Sequence, residues 1–394
     1  MQSQAIRFPQ RLDTSNPFAI ASKPIMRLAA AWKREPLASV ATPGSPQAAG
    51  IGAAALNTAH KPNRIRQLDG VRALAILAVF LHHALKIKML WMGVDLFFIL
   101  SGFLITGVLL NAKQKSLGHY FARFYERRAR RILGPYILTL FVMSLFVGFA
   151  WAKHWYLYIL LTNLLQPLSI PHPVAFDPLW SLAVEEQFYL VWPFAVYFLT
   201  EKHLGRLAAF LIALAPILRV AFHFQDHWAI YMLTPFRMDL LATGALLCLA
   251  YRHRRSWLER RGAGLGLLSL FTGIAGLGVL SRFGISTYGN TRAGNLLVYE
   301  CTLFACLGVM LWALSGWKVG FLRWRPLTYI GQISYTMYLV HLGILTLIGS
   351  RLSPRLAAVA GLSITIAYAS ASWYLLEKRL LEHSSVGKPT VTVS

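Results

Sequence analysis

Two adjacent pairs, His82-His83 and Glu185-Glu186, have the residue types that proton-transfer chemistry needs. A histidine with its ordinary pKa of about 6.5 can take a proton from a hydroxyl, and a carboxylate can orient the ring and stabilise the imidazolium that results. Arg72 precedes His83 by eleven positions, about three helical turns. On a helix the two would share a face, about 16 Å apart along the axis, with His82 turned about 100° away. We therefore take His83 as the base or transient acyl carrier, Glu185 as its orienting acid and Glu186 as the substitute. A second kind of chemistry is written in Arg127, Arg128, Arg130 and Arg131. On a helix Arg128 and Arg131 share one face, and Arg127 and Arg130 another. Paired guanidinium forks suit phosphate oxygens, so a phosphorylated donor would dock there. The same cluster could serve only as a topology signal that also contacts anionic lipid.

The elements that must position these groups are set by composition. Hydrophobic residues make up 56% of the 394, charged residues only 14%, and mean hydropathy is +0.51. Soluble domains carry roughly a quarter charged residues. The figures exclude a disordered chain, a coiled coil and an ordinary cytosolic enzyme, and point to an all-α, polytopic membrane bundle. The net charge of +24 would suggest nucleic acid in a soluble domain. Here it is assigned to loops on one side of a bilayer, with no nucleic-acid partner. Cys248, Cys301 and Cys306 lie in apolar runs without CxxC or His/Cys ligand spacing, so neither a disulfide framework nor a metal site is expected.

A spanning helix needs about 20 mostly apolar residues. Ten segments meet this: 68–86, 90–111, 132–151, 181–200, 204–223, 231–250, 262–281, 297–317, 327–350 and 355–376. The stretch 155–166 is too short and is closed by Pro167, Pro171 and Pro173, so it reads as interfacial or re-entrant. Ten spans with both termini in the cytoplasm put the basic loops 112–131, 251–261 and 318–325 inside, as the positive-inside rule requires. Counting 155–166 as a span would move the arginines of 251–261 outside.

Residues 1–63 are basic, rich in Ala, Pro and Ser, and read as a disordered cytoplasmic tail. An organelle transit peptide and a true start at Met26 are the alternatives. Residues 381–394 read as a short cytoplasmic tail after a membrane domain at 64–380.

An ionisable group at membrane depth costs about 3 kcal/mol or more, which makes it a functional candidate. Arg72, His82, His83, Asp95, Glu185, Glu186, Arg237, Asp239, Glu300 and His341 all fall inside the expected spans. Plainer readings stand beside them. Arg72 could snorkel to headgroups, and Asp95 opens a helix where an acid is favoured anyway. Either histidine could merely bond a neighbour, while Asp239, Glu300 and His341 could serve in structural pairs. Both glutamates turning to headgroups is harder to accept.

The pattern resembles the membrane-bound acyltransferase 3 family of bacterial carbohydrate O-acetyltransferases. The likeness rests on Arg72…His83, on Gly93-Val94-Asp95-Leu96-Phe97-Phe98 with Ser101-Gly102, and on Glu126-Arg127-Arg128-Ala129-Arg130-Arg131. It continues in Trp180-Ser181-Leu182 with Glu186-Gln187-Phe188-Tyr189, and in Ser334-Tyr335 with Tyr338-Leu339 and His341. These motifs run in the family's order over about 64–380. The resemblance implies a ten-helix core and transfer of acetyl from acetyl-CoA to a carbohydrate hydroxyl. It implies that Arg127, Arg128, Arg130 and Arg131 grip the CoA phosphates, and that the site includes His83, Glu185, Glu186, Arg72 and Asp95. The acceptor would be exopolysaccharide, O-antigen or lipo-chitooligosaccharide, and the location the bacterial inner membrane. Some members carry a further extracytoplasmic hydrolase-like domain; none is read here, so transfer is expected to finish in the membrane domain. A transporter or flippase using the buried groups as a proton relay is the alternative.

Overall fold

The computed structural model describes residues 65–382, apart from 224, 287 and 288. The expected tail at 1–63, the alternative start at Met26 and residues 383–394 lie outside the described residues. Ten long helices follow one another: α1 (Arg66–Leu85), α2 (Gly93–Ala112), α3 (Leu117–Val147), α4 (Leu179–Phe198), α5 (Glu201–Ala221), α6 (Met238–His253), α7 (Arg255–Arg282), α8 (Tyr299–Ser315), α9 (Arg325–Gly349) and α10 (Pro354–Ser372). A wider π-type turn at Trp373–Glu377 carries α10 on into Lys378–Glu382, past the expected boundary at 380. Among the described residues there is no strand.

Eight of these helical segments are long and apolar enough to cross a membrane. The remaining two of the ten expected spans are α4 and α6. Helix α4 carries Ser181, Glu185, Glu186 and Gln187, and α6 has 16 residues, about 24 Å against a hydrocarbon core of about 30 Å. One face of α3 shows what surrounds the bundle. Leu133, Ile137, Phe141 and Leu145 recur every four residues and are each more than half exposed. That stripe would be an aggregation liability in water, but in a bilayer it is the solvated surface.

Two segments depart from the sequence reading. Residues 112–131 are not a loop. Helix α3 starts at Leu117, so the four arginines ride on a helix of 31 residues, about 46 Å long. The expected span 231–250 is broken into a short helix His227–Met232, a turn Thr234–Phe236 and α6. Pro235 sits in the break, where its ring and missing N–H would interrupt a continuous helix. The stretch 155–166, read from sequence as too short to span, forms no continuous helix, only short turns at Leu157–Leu160 and Thr162–Leu164.

The bundle centres on α1 and α2. Helix α1 packs on α9 and α10, and α2 on α6, α4 and α8, while α5 covers α6 and α7 pairs with α8. Small residues set the closest approaches, as they must where lipid provides no hydrophobic drive between helices. A Cβ added to Gly102 would lie 1.9 Å from the Leu241 carbonyl oxygen, and one on Gly244 2.0 Å from that of Ile99. Backbone-to-backbone packing of α2 on α6 therefore fixes the rotation of α2, and with it where Ser101 and Asp95 face. Gly331 does the same between α9 and α1, where its Cβ would meet the Asp69 carbonyl oxygen at 1.8 Å.

Candidate active site

Helix α1 carries a cationic group near one end and the histidine pair near the other. Lys86, in the left-handed conformation at φ +58°, ends the helix. His82 donates from Nδ1 to the Ile87 carbonyl oxygen at 3.0 Å, across that turn. His83 turns the other way. Its Nδ1 lies 3.0 Å from the Val79 carbonyl oxygen and 3.2 Å from Nε2 of His341. His341 is fully buried on α9, and its own Nδ1 lies 2.8 Å from the Tyr338 carbonyl oxygen.

These partners fix both tautomers. A carbonyl oxygen can only accept, so each Nδ1 carries its proton. His341 Nε2 is then a lone-pair acceptor and receives the His83 Nδ1–H. The Nε2 of His83 is left as a lone pair with no hydrogen bond among the described residues. It belongs to a side chain lining a cavity of about 270 Å³, together with Lys86, Trp91, Asp177 and Trp228. That is the atom and the setting a general base needs.

A second, narrower cavity of about 60 Å³ lies on the Arg72 side, lined by Arg72, Ser101, Ser181, Glu185 and Tyr335. Val94 and Tyr338 line both cavities. The Tyr338 hydroxyl is tied to Ser181 Oγ at 2.6 Å. The sequence reading had Glu185 orient His83, but its hydrogen bonds go elsewhere. Ser101 donates to Oε1 at 2.5 Å and Tyr189 to Oε2 at 3.1 Å. The ring of His83 is oriented by Val79 and His341 instead. Glu185 stands on the other side, within electrostatic reach of Arg72 and Arg128, each of which also interacts with Arg131 and Tyr189. Arg72 Nε is buried without a hydrogen-bond partner, and the Arg128 guanidinium lies 5.0 Å from the centre of the Tyr189 ring. A buried, under-bonded cation beside a cavity is suited to an anionic ligand.

The four clustered arginines separate as the helix geometry predicts. Arg128 and Arg131 turn toward Arg72, while Arg127 is exposed and Arg130 pairs outward with Glu126 at 2.6 Å. Glu186 points away from Glu185 into an apolar cavity of about 460 Å³ lined by Tyr136, Trp151 and Tyr158, where its Oε1 has no partner.

Asp95, expected among the catalytic groups, lines neither cavity next to His83 or Arg72. It is fully buried and ion-paired with Arg237, and it also accepts from Thr302 at 2.8 Å. The Arg237 guanidinium stands 5.0–5.9 Å from the ring centres of Trp91, Phe98, Tyr231 and Tyr299. Arg219 completes the network, paired with Asp239 at 2.8 Å and Glu300 at 2.7 Å. This assembly of three acids and two arginines ties α2, α5, α6 and α8 together, and none of the five lines the cavities beside His83, Arg72 or Glu186.

A further ionic pair lies in the connection between α3 and α4, where sequence reasoning named no site residue. His172 bonds Asp177 Oδ1 from Nε2 at 2.8 Å and the Ile170 carbonyl oxygen from Nδ1 at 2.7 Å. A carbonyl and a carboxylate both accept, so the pair of partners favours the doubly protonated ring, an imidazolium. Burial pulls its pKa down, but the hydrogen bonds to Asp177 and Ile170 outweigh this and raise it above the ordinary histidine value. The flanking Pro171 and Pro173 were the only visible signal, as restraints on the backbone at His172.

The family model described as an acyltransferase domain matches residues 65–376, and the chain belongs to this acyltransferase 3 family. It is 28% identical over 329 residues to the peptidoglycan O-acetyltransferase OatA of Listeria monocytogenes, covering 74% of this chain and 51% of that protein. It is 25% identical over 331 residues to the O-acetyltransferase OatA of Staphylococcus aureus, covering 75% and 53%. The chain thus spans about half the length of these curated relatives. No solved structure matches it.

Proposed function

We propose that the protein is a membrane O-acetyltransferase that moves an acetyl group from acetyl-CoA to a hydroxyl of a surface or secreted glycan. One observation carries the reading. The lone pair of His83 Nε2 belongs to a side chain in one cavity, the under-bonded Arg72 lines a second, and Val94 and Tyr338 line both. CoA phosphates would bind Arg128, Arg131 and Arg72, with the thioester arm reaching past Tyr338 toward His83. His83 Nε2 removes the acceptor hydroxyl proton as the oxygen attacks the thioester carbonyl. The C–S bond breaks, and the imidazolium returns the proton to the departing CoA thiolate. His341 holds the His83 ring throughout as a neutral acceptor. An acetyl group carried briefly on His83 Nε2 would use the same geometry.

The relatives' names support a glycan acceptor, and peptidoglycan, exopolysaccharide or O-antigen would all present suitable hydroxyls. We place the arginine end of the bundle on the cytoplasmic side of the plasma membrane, with ten spans and both ends inside, because that puts most Lys and Arg of the connections inward. The test is transfer of labelled acetyl from acetyl-CoA to membrane glycans by vesicles containing the full chain. His83→Ala should lower the rate about 10²–10⁴-fold at matched abundance. Glycan translocation without acetyl transfer would favour the transporter alternative.

A further inference from the structure

The His83 cavity contains a carboxylic acid, Asp177, that the acyl-transfer chemistry leaves unused. We propose that Asp177, clamped by His172, is the acceptor-binding carboxylate of this cavity, and that it grips a hydroxyl of a sugar ring lying against Trp228. The inference rests on the acyl-transfer reading and extends it to the acceptor side.

The geometry separates the two oxygens of Asp177. Oδ1 takes the His172 imidazolium at 2.8 Å and the more distant Gln166 amide at 3.5 Å. Oδ2 has no hydrogen bond among the described residues, and the side chain, 29% exposed, lines the cavity that holds His83. The clamp is built rather than incidental. His172 is 8% exposed at its side chain, its second nitrogen is tied to Ile170, and prolines bracket it on both sides. A carboxylate so held presents one oxygen in a fixed direction, which a sugar hydroxyl can meet as donor.

The same cavity also has aromatic lining. Trp228 is half-buried at the cavity, on the short helix His227–Met232 that Pro235 detaches from α6. Tyr231 lies 6.3 Å from it and Trp180 a further 4.9 Å beyond, ring centre to ring centre. A pyranose ring has an apolar CH face and an equatorial rim of hydroxyls. An indole and a fixed carboxylate lining one cavity match both. The volume, about 270 Å³, is near the lower limit of about 300 Å³ for small-molecule sites, enough for a single sugar unit and not for a bulky acceptor entering whole. His83 in the same cavity then meets a neighbouring hydroxyl of the sugar that Asp177 holds.

The full chain in lipid nanodiscs can be titrated with chitotetraose, cellotetraose and mannotetraose by tryptophan fluorescence, and assayed for acetyl transfer to whichever binds. Asp177→Asn keeps the shape but loses the anionic acceptor. It should raise the oligosaccharide Kd and acceptor KM about tenfold to a hundredfold, with acetyl-CoA affinity within twofold. Trp228→Ala should weaken the same ligand. His172→Gln, acting only through Asp177, should raise acceptor KM by less and leave kcat near wild type. Unchanged acceptor affinity in Asp177→Asn and Trp228→Ala proteins of normal size-exclusion profile would overturn the proposal. So would an equal loss of acetyl-CoA affinity, or no binding of any of the three sugars. Asp177-dependent sugar binding by a wild-type protein that transfers no acetyl would uphold the subsite and refute the acyl-transfer reading.

Discussion

Replacing His341 by alanine should slow acetyl transfer far less than replacing His83, and the two effects should not add. His341 contributes one hydrogen bond to the candidate base, at 3.2 Å, while the Val79 carbonyl oxygen at 3.0 Å holds the same Nδ1–H independently. A neutral hydrogen bond contributes about 0.5–1.5 kcal/mol, so kcat should fall about twofold to tenfold. Loss of the base itself costs about 10²–10⁴-fold. His341→Ala also empties a fully buried site on α9, so thermal stability must be measured beside kcat and both KM values. The informative protein is the double variant. If His341 acts only by orienting His83, then His83→Ala and the pair His83→Ala with His341→Ala have the same residual rate. A double variant slower than His83→Ala by the full His341 factor would refute the positioning role and make His341 a participant in its own right. Equal losses in the two single variants would equally reject it.

Three other outcomes follow from the geometry. Arg72→Ala and Arg128→Ala should each raise the apparent KM for acetyl-CoA by a factor corresponding to about 1.5–3 kcal/mol, with acceptor KM unchanged; normal donor affinity in folded protein would leave these arginines as a topology signal only. Asp95→Asn strands Arg237 in a fully buried ring of aromatics, which should lower stability in detergent by about 3–5 kcal/mol. Donor and acceptor KM of the surviving folded fraction should stay near wild type, and a selective KM change would return Asp95 to the active site. The His172–Asp177 clamp should depend on pH with a definite sign. Its folded pKa is raised, so its contribution to stability is complete below the ordinary histidine value and disappears as pH climbs through the raised one. Hydrogen-exchange protection of residues 166–177 should therefore fall over that rise in wild type but not in Asp177→Asn, and parallel curves would contradict the clamp.

Local pattern and the medium set much of the architecture. Runs of about twenty apolar residues satisfy their backbone in lipid most simply as helices, so helices appear where hydropathy placed them, except where Pro235 breaks 231–250. The separation of Arg72 from His83, and the division of Arg128 and Arg131 from Arg127 and Arg130, follow from 3.6 residues per turn and needed no tertiary information. Hydropathy could not see that α3 continues backward through its basic half. A charged amphipathic helix and a charged loop have the same average.

Only the packed bundle chose the polar partners. His341 reaches His83 across 258 positions of sequence and Arg237 reaches Asp95 across 142. Which helix neighbours which, and at what rotation, is decided by close contacts such as Gly102 on Leu241 and Gly331 on Asp69. For that reason Glu185, a natural partner for His83 by type, faces Ser101 and the arginines instead. Asp95 pairs with Arg237 and lines neither cavity for the same reason, and Trp228, ahead of the Pro235 break, lines the His83 cavity. Residue type determined which groups had to find partners inside the membrane; helix rotation and neighbour choice determined which partners they found.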